Sequence, residues 1–331
     1  MESKINLKIQ VKNSILDGKI LIENINIDNL NKLLNSSEDD DFLKSYDKVS
    51  RSDLYENEFL KKKYCTEKEQ LKKYAENIKY GSVFVRYDKV RKLNGYGRVF
   101  PSQSLGLFSF RKQIRGALAY EKYVDIDIVN CHPVLLLQIV QSNNIECKYL
   151  KEYVNNRDKY LNLVMSYYEV SRDKAKELFI ILLYFGSFSR WAEDNNITKN
   201  IIPEIKNLKI ELRNIGNIMI SHNDELVETI KNKMLITKNK KSKNIIGTTM
   251  SFILQEWEAQ ILETLFIYCT EKKIIVNDCV LCADGLMLNS KKYNPSLLIE
   301  FNQLIKSKFG FDLEFVKKEL NTDLLNKLNI N

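Results

Sequence analysis

The sequence contains no long uninterrupted run of apolar residues. No stretch reaches the roughly 18 apolar residues that a membrane-spanning helix needs, and the opening MESKINLKIQVK lacks the apolar core of a signal peptide. Six cysteines are spread without regular spacing, which fits reduced thiols better than a disulfide framework. We therefore expect an intracellular protein, in the cytoplasm or nucleus of a host cell, that has no membrane partner.

What the sequence does contain is a concentration of positive charge. The 331 residues carry a net charge of +8. Residues 59–92 hold eleven Lys or Arg against four acids, with four tyrosines between them, and residues 231–243 hold six lysines and no acid. Two such zones suit a polyanionic partner, with tyrosines available to stack on bases. The alternative is a solvated helix face and a surface loop.

The order of apolar patterns predicts an α+β fold. A strand over 123–129 precedes an apolar helix opened by Pro133, and residues 146–230 are mostly helical in pattern. Residues 274–290 indicate two strands around a turn, followed by a helix over 295–308 and a final strand. The sheet is therefore assembled from distant segments around a helical insertion.

Two aspartates interrupt the apolar strand YVDIDIV. Successive side chains of a strand alternate between its faces, so Asp125 and Asp127 point the same way, while Val124, Ile126 and Ile128 point into a core. Two neighbouring anions repel each other unless a cation lies close by. The pattern therefore indicates a metal site.

A further carboxylate stands in the segment VLCADGLML. Asp284 lies between two apolar runs and precedes Gly285, so it could complete a site for two divalent ions. Oxygen ligands favour Mg²⁺ or Mn²⁺. An ordinary Asp-Gly hairpin turn is the alternative. Cys279 and Cys282 have no second Cys/His pair, which argues against zinc.

Arg172, Lys176, Ile180 and Tyr184 recur every four residues in an otherwise apolar segment. This spacing predicts one helix face that presents two cations and a ring. A nucleoside triphosphate needs cations for its phosphates and a flat surface near its base. The alternative is a core helix with a basic first turn.

These pieces, in this order over residues 94–290, resemble the superfamily of family A DNA polymerases and phage single-subunit RNA polymerases. Gly97-Arg98 is similar to its template-primer motif, VDIDIVNCHP to its first metal motif and CADGL to its second. RDKAK…LLYFG is similar to its fingers helix. The segment DIDIVNCHP most resembles the corresponding segment of TV-Pol, the transposon and virus polymerases.

The resemblance implies a right-hand polymerase with a small antiparallel palm sheet. The expected domains are a basic, mostly helical, reduced thumb-like region at 1–92, palm at 93–145 and 251–331, and helical fingers at 146–250. Asp127 and Asp284 would be the catalytic metal ligands, with Asp125 assisting.

The resemblance also assigns the ligand-binding residues. Arg172, Lys176 and Tyr184 would hold the nucleotide, with Lys176 also catalytic. His132 stands where DNA-making relatives place a Glu that blocks the ribose 2′-hydroxyl, which leaves sugar choice open; a helix cap is its alternative role. The expected nucleic-acid contacts are Arg98, Arg111, Arg115, Lys72 and Lys73.

Together these features predict a template-directed nucleotidyltransferase, a DNA-directed DNA polymerase or primase-polymerase of a viral or mobile element. Its cofactor would be Mg²⁺ or Mn²⁺, and its partners a DNA template-primer, nucleoside triphosphates and a helicase of the same replication system. A catalytically inactive, polymerase-like nucleic-acid-binding protein is the first alternative. A two-metal nuclease is the second, although a nuclease has no use for the Arg172–Tyr184 stripe.

Overall fold

The computed structural model of the protein describes residues 5–11, 13–36, 67–89, 95–236 and 244–328. The acidic segment SSEDDD at 36–41, whose composition predicts a flexible linker, lies outside these ranges apart from Ser36. Residues 59–66 and 90–92 of the basic zone and residues 237–243 of the lysine-rich segment also lie outside them. Within the described ranges, no helix is long and apolar enough to cross a bilayer.

Strands and helices alternate along the chain with one long helical stretch in the middle. The strands are β1 (Lys19–Asn24), β2 (Ile78–Lys79), β3 (Ser82–Lys89), β4 (Val99–Ser102), β5 (Tyr123–Ile128), β6 (Cys279–Leu281), β7 (Gly285–Asn289) and β8 (Phe315–Lys318). The helices are α1 (Ile27–Asn35), α2 (Glu67–Ala75), α3 (Lys112–Ala119), α4 (Cys131–Ser142), α5 (Lys148–Asn155), α6 (Arg157–Tyr168), α7 (Arg172–Leu183), α8 (Phe188–Asp194), α9 (Pro203–Ser221), α10 (Asp224–Ile236), α11 (Ile245–Glu271), α12 (Ser296–Phe309) and α13 (Asp323–Leu328).

The strands form two antiparallel sheets. In the N-terminal sheet, β3 pairs with β1, β2 and β4. Three of these strands lie within 1–92, so the described part of that region is not mostly helical, contrary to expectation. The second sheet has the order β6-β7-β5-β8, and each neighbouring pair is antiparallel. The expectation of a mixed helical and antiparallel fold is confirmed.

The register of the second sheet brings distant carboxylates together. Asp127 of β5 pairs with Gly285 of β7, and the backbone N–H of Ile128 donates to the carbonyl of Asp284 over 3.1 Å. A Cβ on Gly285 would stand 1.9 Å from the carbonyl oxygen of Ile126. Only glycine therefore permits this close pairing, which places Asp284 at the end of β5.

Helices cover the apolar side of the same sheet. Ile126 and Ile128 are buried, and Phe315, opposite Ile128 in the register, stacks edge-on against Phe301 of α12. The aspartates of β5 point to the other face. On that side lie α6, α7 and α11, which supply the remaining walls of a cleft.

Candidate active site

A cleft of about 590 Å³ opens where β5 and the β6–β7 turn meet the helices of the middle region. The sheet contributes Asp127, Asp284 and Lys318. The middle helices contribute Arg157, Lys176, Ile180 and Tyr184, and α11 contributes Ser251, Gln255 and Glu258. Arg98 and His132 complete the polar lining. The cleft thus combines two aspartates of the sheet with two cations, Arg157 and Lys176, of the middle helices.

The two acids at the end of the sheet interact directly. Burial is the main cause that raises the pKa of Asp127 to about 7, and the charge of Asp284, which shares a hydrogen bond with it, raises it further. The ammonium of Lys318, 2.5 Å from Oδ2 of Asp127, acts in the opposite direction. Two carboxylates that repel each other in this way form a site that a cation would stabilise.

Asp125 occupies a different position from the other two acids. It lies two residues back on the same face of β5, is buried and does not line the cleft. Burial raises the pKa of Asp125, and the charges of Lys318 and Arg115 oppose that shift. This position suits electrostatic support of the site better than direct contact with a ligand.

The helix α7 presents only part of the predicted stripe to the cleft. Lys176, Ile180 and Tyr184 line it, but Arg172 does not. The Nη2 atom of Arg172 donates to the carboxylate of Asp158 over 2.5 Å on the exposed surface. The structure therefore does not bring Arg172 to the cleft.

Arg157, at the start of α6, supplies a second cation beside Lys176. Its Nε atom is buried and has no hydrogen-bond partner among the described residues. A buried donor without an acceptor is costly. The same guanidinium also hydrogen-bonds to the hydroxyl of Tyr153.

His132 joins the middle helices to α11. Its Nδ1 contacts the hydroxyl of Tyr184, and its Nε2 lies 3.1 Å from Oε2 of Glu258. His132 lies in the first turn of α4, after the N-cap Asn130, and therefore does not cap this helix. Both ring nitrogens have partners within the protein, so the ring is held in one orientation.

Glu258 also holds Arg98. The Nε and Nη2 atoms of Arg98 donate to its two carboxylate oxygens over 2.5 and 3.0 Å. Burial alone would raise the pKa of Glu258, but the charges and hydrogen bonds of His132 and Arg98 hold it below its ordinary value. Glu258 is therefore an ionised acid inside the protein, neutralised by its neighbours.

A second buried acid of α11 fixes the loop that carries Arg98. The backbone N–H of Gly97 donates to Glu256 over 2.8 Å, and Lys89 pairs with the same carboxylate at 3.3 Å. Gly97 has a φ of +92°, which favours glycine. Two acids of α11 thus position this pair at the cleft: Glu256 binds the backbone of Gly97, and Glu258 binds the side chain of Arg98.

The other residues expected to bind nucleic acid lie away from the cleft. Lys72 and Lys73 are on α2, where Lys73 pairs with Glu76 at 2.6 Å. Arg111 precedes α3 and pairs with the buried Glu67. The guanidinium of Arg115 lies 5.7 Å from the ring centre of Phe108. They form no single cluster with Arg98.

Two groups of residues have metal-ligand chemistry. Asp127 and Asp284 offer oxygen ligands of the kind that Mg²⁺ and Mn²⁺ prefer. Cys131, His132 and Glu258 have ligand atoms within 4.8 Å of one another. However, both oxygens of Glu258 bind Arg98, and burial raises the pKa of the Cys131 thiol. The aspartate pair therefore fits a divalent cation better.

Sequence reasoning missed several residues of this cleft. Glu258, Arg157 and Lys318 line it, and Ser251 hydrogen-bonds to Tyr184. For Glu258 a signal existed, since two acids, Glu256 and Glu258, interrupt a long apolar helix. Nothing in the local sequence marks Lys318, because its role follows from the register of β8 against β5.

Comparisons with known proteins give one relative by sequence and a weaker likeness by structure. A Sputnik virophage protein named "Putative helicase V13" is 30% identical over 303 residues, which are 91% of this chain but 36% of that protein. The chain thus spans about a third of its relative. No protein-family model matches.

Among solved structures, the POL domain of Pol1 from M. smegmatis, in complex with DNA primer-template and dNTP, superposes with a TM-score of 0.45. The superposition covers 77% of this chain and 51% of that one, at 10% identity.

Proposed function

We propose that the protein is a template-directed nucleotidyltransferase, a DNA polymerase or primase-polymerase that uses two divalent ions. The observation that carries the proposal is one cleft in which Asp127 and Asp284 face Lys176 and Tyr184. A phosphoryl-transfer site needs carboxylates for metal ions at one side and cations for the triphosphate at the other. The sequence order of these motifs, similar to that of family A polymerases, supports the same reading.

Each residue would act from its position in the cleft. Asp127 and Asp284 would hold two Mg²⁺ or Mn²⁺ ions, which lower the pKa of a primer 3′-hydroxyl and neutralise charge on the leaving pyrophosphate. Lys176 and Arg157 would bind the triphosphate oxygens. Tyr184 and His132 would bound the space for the nucleoside, and Arg98 would meet the primer-template.

The right-hand architecture is part of the proposal. Residues 93–145 and 251–331 would form the palm, 146–250 the fingers and 1–92 a reduced thumb-like region. The sheet with Asp127 and Asp284 lies in the two palm segments, and α5 to α10 lie in the fingers segment. This division agrees with a helical insertion between the two halves of a sheet.

The virophage relative supports a viral or mobile-element origin and a helicase partner. That protein is named for a helicase, and this chain matches about a third of it. We propose that this chain supplies the polymerase, and that a helicase acts with it in one replication system. An unwinding assay on this chain alone should therefore be negative, whereas primer extension should be positive.

The two alternatives predict different metal and nucleotide dependence. An inactive nucleic-acid-binding protein would bind primer-template with or without Mg²⁺ and incorporate nothing. A nuclease would degrade the primer with Mg²⁺ and ignore added nucleotides. The basic residues Arg157 and Lys176 opposite the acids favour the polymerase, because a nuclease has no triphosphate to bind.

The decisive experiment is primer extension by Asp127→Ala and Asp284→Ala, with dNTPs and NTPs tested separately and with and without primer. Either substitution should lower incorporation by about a thousandfold or more, since each removes a ligand of the metal pair. Affinity for primer-template should change little, because the cationic residues remain.

Asp194→Ala is the matched control for this experiment. Asp194 is an exposed acid on α8, far in sequence from either strand, and its loss should leave incorporation unchanged. Near-normal incorporation by Asp127→Ala or Asp284→Ala would refute the metal assignment.

A further inference from the structure

Lys318 stands among the acids that the proposed function assigns to metal binding. It ends β8, the edge strand of the second sheet, directly opposite Asp125 in the register. Its Nζ lies 2.5 Å from Oδ2 of Asp127. The lysine side chain is 53% exposed, whereas that of Asp127 is only 17% exposed. A half-exposed side chain on an edge strand therefore reaches in to a largely buried carboxylate.

The ammonium of Lys318 interacts with all three acids of this end of the sheet, Asp127, Asp284 and Asp125. It therefore offsets their mutual repulsion in the protein as it stands, with Arg115 adding to this effect at Asp125. A divalent ion on Asp127 would compete with the Lys318 ammonium for the lone pairs of the same carboxylate. It would also bring two positive charges within a few ångströms of a third.

We infer that Lys318 is an internal competitor of the divalent ion for Asp127, and that metal binding requires its displacement. The inference rests on the proposed function, because it takes Asp127 and Asp284 as metal ligands. Displacement is feasible because the lysine has a flexible four-carbon stem and its side chain is 53% exposed. Lys318 thus stabilises the acids before the ion arrives and lowers their affinity for it.

The test measures Mn²⁺ binding to the full chain, without nucleotide or nucleic acid. Free Mn²⁺ is followed by electron paramagnetic resonance during a titration of the parent protein and of Lys318→Gln. Removing the competing charge should lower the Kd for Mn²⁺ by about tenfold, as expected for a lost repulsion between close charges in a partly exposed site. Lys318→Met repeats the test with a neutral side chain of similar length.

Lys317→Gln is the matched control. Lys317 precedes Lys318 on β8, is exposed, and points to the other face of the strand. The Lys317→Gln substitution removes the same net charge, so the Kd of this variant for Mn²⁺ should stay within about twofold of the parent value. An equal gain in Mn²⁺ affinity in Lys317→Gln and Lys318→Gln would reflect net charge alone and would overturn the inference.

The remaining outcomes separate this inference from the proposed function. One outcome is that both neutral variants of Lys318 bind Mn²⁺ as tightly as the parent or more weakly, while Asp127→Ala abolishes binding. This outcome would overturn the role of Lys318 as a competitor and leave the metal site standing. Mn²⁺ binding that persists in Asp127→Ala, or that is absent from every variant, would refute the metal site and the competitor together.

Discussion

At the scale of single residues, the cleft depends on a buried chain of contacts that runs from Arg98 through Glu258 and His132 to Tyr184. Each of these residues hydrogen-bonds to the next, and Arg98 and His132 together neutralise the ionised Glu258 inside the protein. This series of contacts fixes the His132 ring beside the space proposed for the nucleoside. The ring therefore acts by shape, since neither of its nitrogens is left to bind a substrate hydroxyl.

His132→Ala should relax sugar selection. Removing a fixed ring from the proposed sugar space opens room for a 2′-hydroxyl, so NTP use relative to dNTP use should rise by about tenfold, the effect of one lost steric contact. Competing incorporation of dNTP and NTP on one primed template measures the ratio. The control is His222→Ala, which alters the other histidine of the chain, exposed at the end of α9. An active His132→Ala protein with the parent ratio would assign His132 a structural role.

Two cations of the cleft, Arg157 and Lys176, and one outside it, Arg172, give a second prediction at this scale. Arg157→Ala and Lys176→Ala should each raise the KM for nucleotide by about tenfold, because each removes a charge-assisted contact to phosphate. Arg172→Ala should have a much smaller effect, because its guanidinium pairs with Asp158 on the surface. Steady-state kinetics with a saturating primer-template provide the measurement. A larger defect in Arg172→Ala than in Arg157→Ala would contradict this assignment of the triphosphate contacts.

At the scale of elements, sequence periodicity predicted individual strands and helices but not how they pack against one another. The alternation in YVDIDIV correctly gave a strand, and the apolar runs around Asp284 correctly gave a hairpin. The four-residue spacing of Arg172 and Lys176 placed both on one helix. It could not show that the first turn of α7 faces Asp158, because a period fixes a face of a helix and not its neighbours.

Glu23 shows how elements of the two sheets are connected. Its carboxylate on β1 is fully buried and accepts hydrogen bonds from the hydroxyls of Tyr74 and Tyr87 and the N–H of Leu107. Tyr87 in turn accepts a hydrogen bond from the N–H of Leu281 on β6. Burial is the main cause that raises the pKa of Glu23 to about 7, although these hydrogen bonds oppose the shift.

This raised pKa predicts how stability depends on pH. The unfolded chain releases the proton of Glu23 near pH 4.5, whereas the folded protein retains it until about pH 7. The free energy of unfolding should therefore fall as pH rises between these values, and the contribution of Glu23 to that fall is about 3 kcal/mol. Glu23→Gln should lack this contribution. Urea unfolding at pH 4.5, 6 and 8 measures it.

Glu76→Gln serves as the control for the pH series, because Glu76 is exposed directly after α2 and pairs with Lys73 at the surface. Its unfolding profile should follow that of the parent protein. A Glu23→Gln profile parallel to the parent one would mean that Glu23 does not titrate with folding.

At the scale of the whole molecule, the positive charge is unevenly distributed. The cleft is lined by four Lys or Arg against three acids, whereas α2 carries Lys68, Lys72 and Lys73 within nine residues, together with Glu67 and Glu69. Lys72 is exposed, and the neighbouring Leu71 and Tyr74 pack into the core, so α2 presents its basic side outward. A nucleic-acid duplex held by such a surface would be bound through its phosphates, independently of sequence.

The salt dependence of primer-template binding tests this arrangement. Each lysine that contacts a phosphate releases about one counterion, so Lys72→Gln should reduce the slope of log Kd against log salt by about one unit. It should weaken binding about equally for unrelated sequences and leave kcat at saturating primer-template unchanged, because α2 is separate from the cleft. Lys306→Gln is the control, since it removes the same charge from α12, on the apolar side of the second sheet. An unchanged slope in Lys72→Gln, or an equal loss in Lys306→Gln, would show that α2 does not hold the duplex.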